Sequence, residues 1–124
     1  MTHLPFAEFF EKNQCILGEG AVIERLRRNS DIELDPHVVN SAFIYDKSKG
    51  TALSGIYRQY LDIGHKYNLP LVLSTPTWRA SRERIEKAGY AKMDVNGDNF
   101  RFLDAIRKSY DEYAGKIVIS GLLS

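Results

Sequence analysis

The residues best suited to chemistry in this chain follow short apolar segments. Glu19 stands between two glycines in Gly18-Glu-Gly20, directly after an apolar run that ends at Leu17. A carboxylate there can accept hydrogen bonds from an ammonium group, and the glycines let backbone and ligand approach closely. A second role stays open, in which Glu19 caps the following helix and stabilises it by about 0.3–1 kcal/mol.

A second polar group follows the apolar run that ends at Ser74. It contains two hydroxyls, an aromatic ring and a guanidinium, in the order Thr75, Thr77, Trp78 and Arg79. The hydroxyls could instead cap the next helix, and the tryptophan could simply pack against the core. A third such change in character, from apolar to small and polar residues, comes at 120–124.

The elements that must position these residues alternate between strand and helix. Short apolar runs predict strands at 14–17, 71–74 and 117–119, and helical periodicity predicts helices at 5–12, 21–28, 51–68, 79–88 and 99–113. The segment 29–50 could be strand or helix. Such alternation is typical of an α/β protein with a parallel sheet and right-handed crossovers. Ligands bind such sheets beyond the carboxyl ends of the strands, where the polar residues fall.

Composition excludes several classes of function. A net charge of +1 gives no electrostatic reason to expect nucleic acid or an anionic membrane as partner. No apolar run approaches the roughly 18 residues of a membrane span, and the N-terminus lacks the pattern of a secretory signal. The single cysteine, Cys15, rules out an internal disulfide and indicates a reducing compartment. We therefore expect a cytoplasmic protein.

Other chemistries find little support in the residue spacing. The three histidines, His3, His37 and His65, are too far apart in sequence to predict a self-contained zinc site. Cys15 falls in a predicted apolar strand, where a thiol is usually inert. The stretch 96–99 lacks the alternating acids of a calcium loop and is better interpreted as a helix N-cap.

Taken in order, the motifs resemble the N-terminal part of the homocysteine S-methyltransferase family. Its members open with a strand, Asp-Gly-Ala or Asp-Gly-Gly, and a helix, and an Asp-Pro…Ser-Ala segment commonly follows. A long helix comes next, then a strand that ends in Thr-x-Thr-aromatic-x-Ala-Ser, and a third strand that ends in a Gly-Ser-Leu-Gly-Pro-like loop. The corresponding stretches here are Ile16 to Arg28, Asp35-Pro36 with Ser41-Ala42, Thr75 to Ser81, and Ser120 to Ser124.

The resemblance implies a (β/α)8 (TIM) barrel, of which residues 1–124 would form a single partial domain with about three of the eight strands. It implies that Glu19, which replaces the family's usual aspartate, binds the amino group of homocysteine. Gly20, Thr75, Thr77 and Trp78 would line the substrate pocket. Arg79 could contact an acidic substrate or the methyl donor.

The resemblance also implies zinc, held by three cysteines from later strands that this chain does not contain. We therefore expect no catalytic or metal-ligating residue within it, and zinc only if a longer chain supplies the ligands. The chain could be a fragment of a longer methyltransferase or a short protein that self-associates through its exposed sheet edge. The alternative is a non-catalytic α/β module for metabolite binding or assembly.

Overall fold

The computed structural model describes residues 6–123. Within them lie three strands and five α-helices, with two short 3₁₀ helices at Phe43–Tyr45 and Asp111–Lys116. The strands are β1 (Leu17–Gly18), β2 (Leu71–Ser74) and β3 (Ile117–Ser120). The helices are α1 (Phe6–Lys12), α2 (Val22–Arg27), α3 (Lys47–Lys66), α4 (Arg82–Lys87) and α5 (Val95–Lys108).

The three strands form one parallel sheet in the order β1-β2-β3. Leu17 pairs with Leu71, which pairs in turn with Ile117. This confirms the predicted parallel α/β architecture, in which strands adjacent in sequence are also neighbours in space.

The first strand is shorter than predicted. Its pairing with β2 starts only at Leu17, whose backbone N–H donates to the Pro70 carbonyl at 2.9 Å, because β2 itself begins at Leu71. Cys15 therefore lies before the strand and is exposed, so its predicted place inside an apolar strand is wrong.

The longest helix packs its apolar face on the sheet. Helix α3 begins four residues earlier than the predicted 51–68 because the Asp46 side chain caps it, accepting a hydrogen bond from the Lys49 N–H at 2.9 Å. Its buried positions share the predicted helical spacing and are Leu53, Tyr57, Leu61 and Gly64. They join a core that also contains Leu26, Phe43, Leu71, Leu73, Leu103 and Ile117.

The last two helices differ from prediction at their ends. Helix α5 is capped by Asp94, which accepts from the Gly97 N–H at 3.2 Å, so the N-cap predicted within 96–99 is wrong. The helix stops at Lys108, before the 3₁₀ segment, rather than running to residue 113. Gly89, at φ 89°, follows α4 as the predicted left-handed C′ residue.

The ambiguous segment 29–50 is mostly turns. An antiparallel bridge joins Asp35 and Val39, and the next residues lead into the first 3₁₀ helix. The Ser41 hydroxyl donates to the Pro76 carbonyl at 2.8 Å, which fastens the segment to the loop after β2. Among residues 6–123, no helix is both long and apolar enough to cross a membrane.

Candidate functional site

Glu19 links the carboxyl ends of two strands. Its Oε1 accepts a hydrogen bond from the backbone N–H of Ser74 at 3.0 Å, across 55 residues of sequence. Helix α2 begins after Ala21, which has a left-handed backbone (φ 52°) and makes no side-chain cap. The alternative that Glu19 caps this helix is therefore wrong, and its carboxylate is held at the strand ends instead.

The environment of Glu19 disfavours its charge. Burial raises the pKa of the Glu19 carboxyl, and the hydrogen bonds from Ser74 offset this only in part. Tyr57 lies close by and donates its hydroxyl proton to the Ser74 carbonyl at 2.8 Å. Burial and the negative charge of Glu19 raise the pKa of Tyr57, so this phenol remains a neutral donor. A cationic ligand beside Glu19 would therefore stabilise its charged form.

Thr75 and Thr77 tie the loop after β2 to the loop after β3. Their Oγ1 atoms are 2.8 Å apart, and both residues are buried. Thr77 Oγ1 donates to the Leu122 carbonyl at 2.9 Å, while the Leu122 N–H donates to Thr75 Oγ1 at 3.3 Å. Helix α4 is capped by Ser81, so the alternative that these threonines cap it is wrong.

A cavity of about 210 Å³ opens at this end of the sheet. Three of the predicted site residues line it, namely Glu19, Thr75 and Trp78. The rest of its wall is largely apolar, with Val22, Ile23, Pro76 and Leu122 among its members. At about 30 Å³ per water molecule, the cavity has room for roughly seven waters, which suits a small metabolite.

The other predicted site residues lie beside the cavity rather than in its wall. The guanidinium carbon of Arg79 sits 4.2 Å from the centre of the Trp78 ring, a cation–π contact. The Gly20 carbonyl accepts a hydrogen bond from the Tyr60 hydroxyl. Thr77 is hydrogen-bonded to Thr75 and to the Leu122 carbonyl, both of which belong to residues that line the cavity.

Asn40 is a cavity residue that the sequence motifs did not single out. It is only 1% exposed, yet neither Oδ1 nor Nδ2 of its side chain has a hydrogen-bond partner within residues 6–123. Asn40 lies in the segment whose secondary structure the sequence left open. Its one signal was its position directly before Ser41-Ala42, part of the family resemblance.

The residues at the site do not fit zinc. Across the described residues, no group of three or more His, Cys, Asp or Glu side chains is placed to hold a metal ion. The two acids in the cavity wall, Glu19 and Glu24, have neither histidine nor cysteine beside them there. Zinc prefers nitrogen and sulfur ligands, so these residues are better suited to an organic cation.

Comparison with known proteins adds no assignment: no protein-family model, curated protein or solved structure matches the chain. The resemblance to methyltransferases therefore rests on the sequence motifs alone. The cavity itself combines a desolvated carboxylate, a buried amide and apolar walls.

Proposed function

We propose that this chain forms the substrate-binding wall of a homocysteine S-methyltransferase-like protein, in which a methyl group passes to the thiol of homocysteine or a related thiol. The observation that carries the proposal is Glu19. Its carboxylate lies at the end of β1, lines the cavity, and accepts one backbone hydrogen bond from Ser74. The motif resemblance assigns the acid at this position to the substrate's amino group.

The chemistry of the cavity suits a small amino thiol. An ammonium group beside Glu19 would stabilise the desolvated carboxylate through charge-assisted hydrogen bonds. The apolar wall, with Val22, Pro76 and Trp78, would accept a short aliphatic chain ending in sulfur. Homocysteine has eight non-hydrogen atoms, a size compatible with about 210 Å³.

This wall supplies binding rather than the activation of the thiol. The described residues place no metal-binding group at the cavity, and no step of methyl transfer is assigned to them. If zinc takes part, cysteines outside these residues must hold it. The part played by this chain is to bind the amino end of the substrate and to keep water from its aliphatic body.

A non-catalytic module that binds a small metabolite is the second candidate. The observation in its favour is that the cavity wall carries hydrogen-bonding groups and apolar surface, but no serine–histidine or cysteine–histidine pair among the described residues. Such a module could also self-associate, since β3 pairs only with β2 within residues 6–123 and leaves its other edge free.

Binding of homocysteine tests the proposal directly. Trp78 is the single tryptophan of the chain and lines the cavity, so its fluorescence reports occupancy. We expect L-homocysteine to change this fluorescence saturably. Glu19→Gln should weaken binding by about tenfold or more, because it removes the charge, while Glu19→Asp should keep much of the affinity.

The matched control is Glu83→Gln, which removes an exposed carboxylate paired with Lys87 on α4 and should leave the affinity unchanged. Failure of the wild-type chain to bind L-homocysteine would contradict the proposal. Methyl transfer is tested on the complete gene product with zinc and each class of methyl donor, by the appearance of the methylated thioether. Binding of homocysteine without transfer by that product would favour the non-catalytic module.

A further inference from the structure

Asn40 is the most anomalous polar side chain in the described part of the chain. Both of its polar atoms are buried and lack partners among residues 6–123. The comparably buried Asn99 differs, because its Nδ2 donates to the carbonyls of Ser41 and Val95, both at 2.8 Å. A buried amide without hydrogen-bond partners costs free energy. A ligand in the cavity beside Asn40 would supply the missing partners.

Asn40 lines the cavity, and the backbone on both sides of it is held in place. Val39 has a φ of 59°, a left-handed conformation that is costly for a β-branched residue. The paired backbone hydrogen bonds between Asp35 and Val39, at 2.9 and 3.0 Å, keep the residue there. On the other side, the Ser41 hydroxyl is bound to the Pro76 carbonyl. Asn40 is thus anchored on both sides.

We propose that Asn40 binds the head group of an α-amino acid. Its Nδ2 would donate a hydrogen bond to the ligand's carboxylate, and its Oδ1 would accept one from the ligand's ammonium group. This deepens the proposed function and rests on its assignment of the cavity as an amino-acid site. An amide presents a donor beside an acceptor. An α-amino acid presents the complementary pair, and its ammonium group can also reach a carboxylate.

A ligand carboxylate in this cavity would need a neutral hydrogen-bond donor, because the described wall carries no cationic side chain. This described wall contains Glu19 and Glu24 but no lysine, arginine or histidine. The nearest candidate from the sequence analysis, Arg79, stacks on the Trp78 ring beside the cavity. A simple amine would satisfy Glu19 and leave Nδ2 unpaired. An α-amino acid would satisfy both groups.

The test compares three ligands that differ only in the head group. L-Norleucine carries the whole amino-acid head, n-pentylamine lacks the carboxylate, and hexanoate lacks the ammonium group. All three lack a thiol, so the outcome does not depend on methyl transfer. Using Trp78 fluorescence, we expect the wild-type chain to bind norleucine about 10- to 100-fold more tightly than pentylamine, and hexanoate weakest.

Two variants test whether Asn40 causes the preference for norleucine over pentylamine. Asn40→Leu keeps the branched shape of the side chain but removes both hydrogen-bonding groups, and should bring the norleucine-to-pentylamine ratio close to one while raising the melting temperature. Asn40→Asp keeps the size but adds a third carboxylate, and should reverse the preference towards pentylamine. Asn96→Ala is the control, since Asn96 donates to the Ala80 carbonyl away from the cavity, and its ratio should match the wild type.

The outcomes separate this inference from the proposed function. A wild-type preference for norleucine that persists in Asn40→Leu, or no preference in the wild type, would overturn the role of Asn40. If norleucine is preferred and Asn40→Leu abolishes the preference while L-homocysteine fails to bind, the role stands and the homocysteine proposal fails. If the wild-type chain binds none of these ligands, both fail.

Discussion

The two ends of the small parallel sheet differ in how well their polar groups are satisfied. At the amino end, the Tyr113 hydroxyl donates to the Leu69 carbonyl at 2.7 Å. Lys116 Nζ lies 2.9 Å from Asn68 Oδ1. At the carboxyl end, Asn40 has no partner within the described residues, and burial raises the pKa of Glu19. One end is closed by internal bonds, and the other holds groups that a ligand could satisfy.

The backbone shows the same contrast. In the segments that lead into β2 and β3, the left-handed residues are Asn68 and Asp111, with φ 53° and 51°, and these residue types tolerate the conformation well. At the carboxyl end, Ala21 and Val39 are left-handed, with φ 52° and 59°, and the conformation is most costly for the β-branched valine. In parallel α/β proteins, the amino end of the sheet generally serves stability and the carboxyl end carries the ligand site. The division seen here is consistent with that rule.

The largest expected effect lies at the amino end. Gly64 faces Tyr113 and Leu71, and an added Cβ would meet the Tyr113 hydroxyl and lie 3.2 Å from Leu71 Cδ1. Gly64→Ala should therefore lower the free energy of unfolding by about 2 kcal/mol, measured by chemical denaturation.

The matched control is Gly55→Ala on the same helix, where an added Cβ meets nothing within 4 Å. This change should stabilise the protein by about 0.5–1 kcal/mol through helix propensity. Similar effects of both substitutions would mean that the amino end is not closely packed.

Removing one polar group at each end should have opposite effects. Tyr113→Phe deletes the hydrogen bond to the Leu69 carbonyl and should cost about 1 kcal/mol of unfolding free energy. Asn40→Leu removes an unpartnered buried amide and should raise that free energy by about 1 kcal/mol. Equal losses in both variants, measured by denaturation without ligand, would show that the two ends are equally satisfied.

The smallest effect concerns the pH dependence of stability. Because burial raises the pKa of Glu19 above its ordinary value of 4.5, the folded state binds the proton more tightly than the unfolded state. Wild-type stability therefore loses a contribution as pH rises from about 4.5 through the folded pKa. Glu19→Gln cannot ionise, so its stability relative to wild type should increase over that range.

Measuring the difference between the two proteins cancels the acids they share, including Asp98 and Asp104, whose lowered pKa values give the opposite slope. Thermal melts at pH 4 and pH 8 are sufficient. A difference that is independent of pH would show that the carboxylate is well compensated without a ligand.

Elements with strong local patterns were predictable. Strand β2 has the predicted bounds, and α3 follows the predicted apolar spacing along its buried face. Gly89 ends its helix as expected because its left-handed backbone is a local property. The predicted starts of α3 and α5 were wrong because Asp46 and Asp94, which cap these helices, lie outside the apolar pattern.

The sequence by itself determined the order of strands and helices, and placed Glu19, Thr75 and Trp78 after strand ends, because periodicity and turn chemistry act over a few residues. Only the tertiary structure decided that Glu19 binds the Ser74 N–H rather than capping a helix. It alone brought Asn40 into the same cavity. These contacts join residues far apart in the chain, and no local pattern encodes which buried polar groups remain without partners.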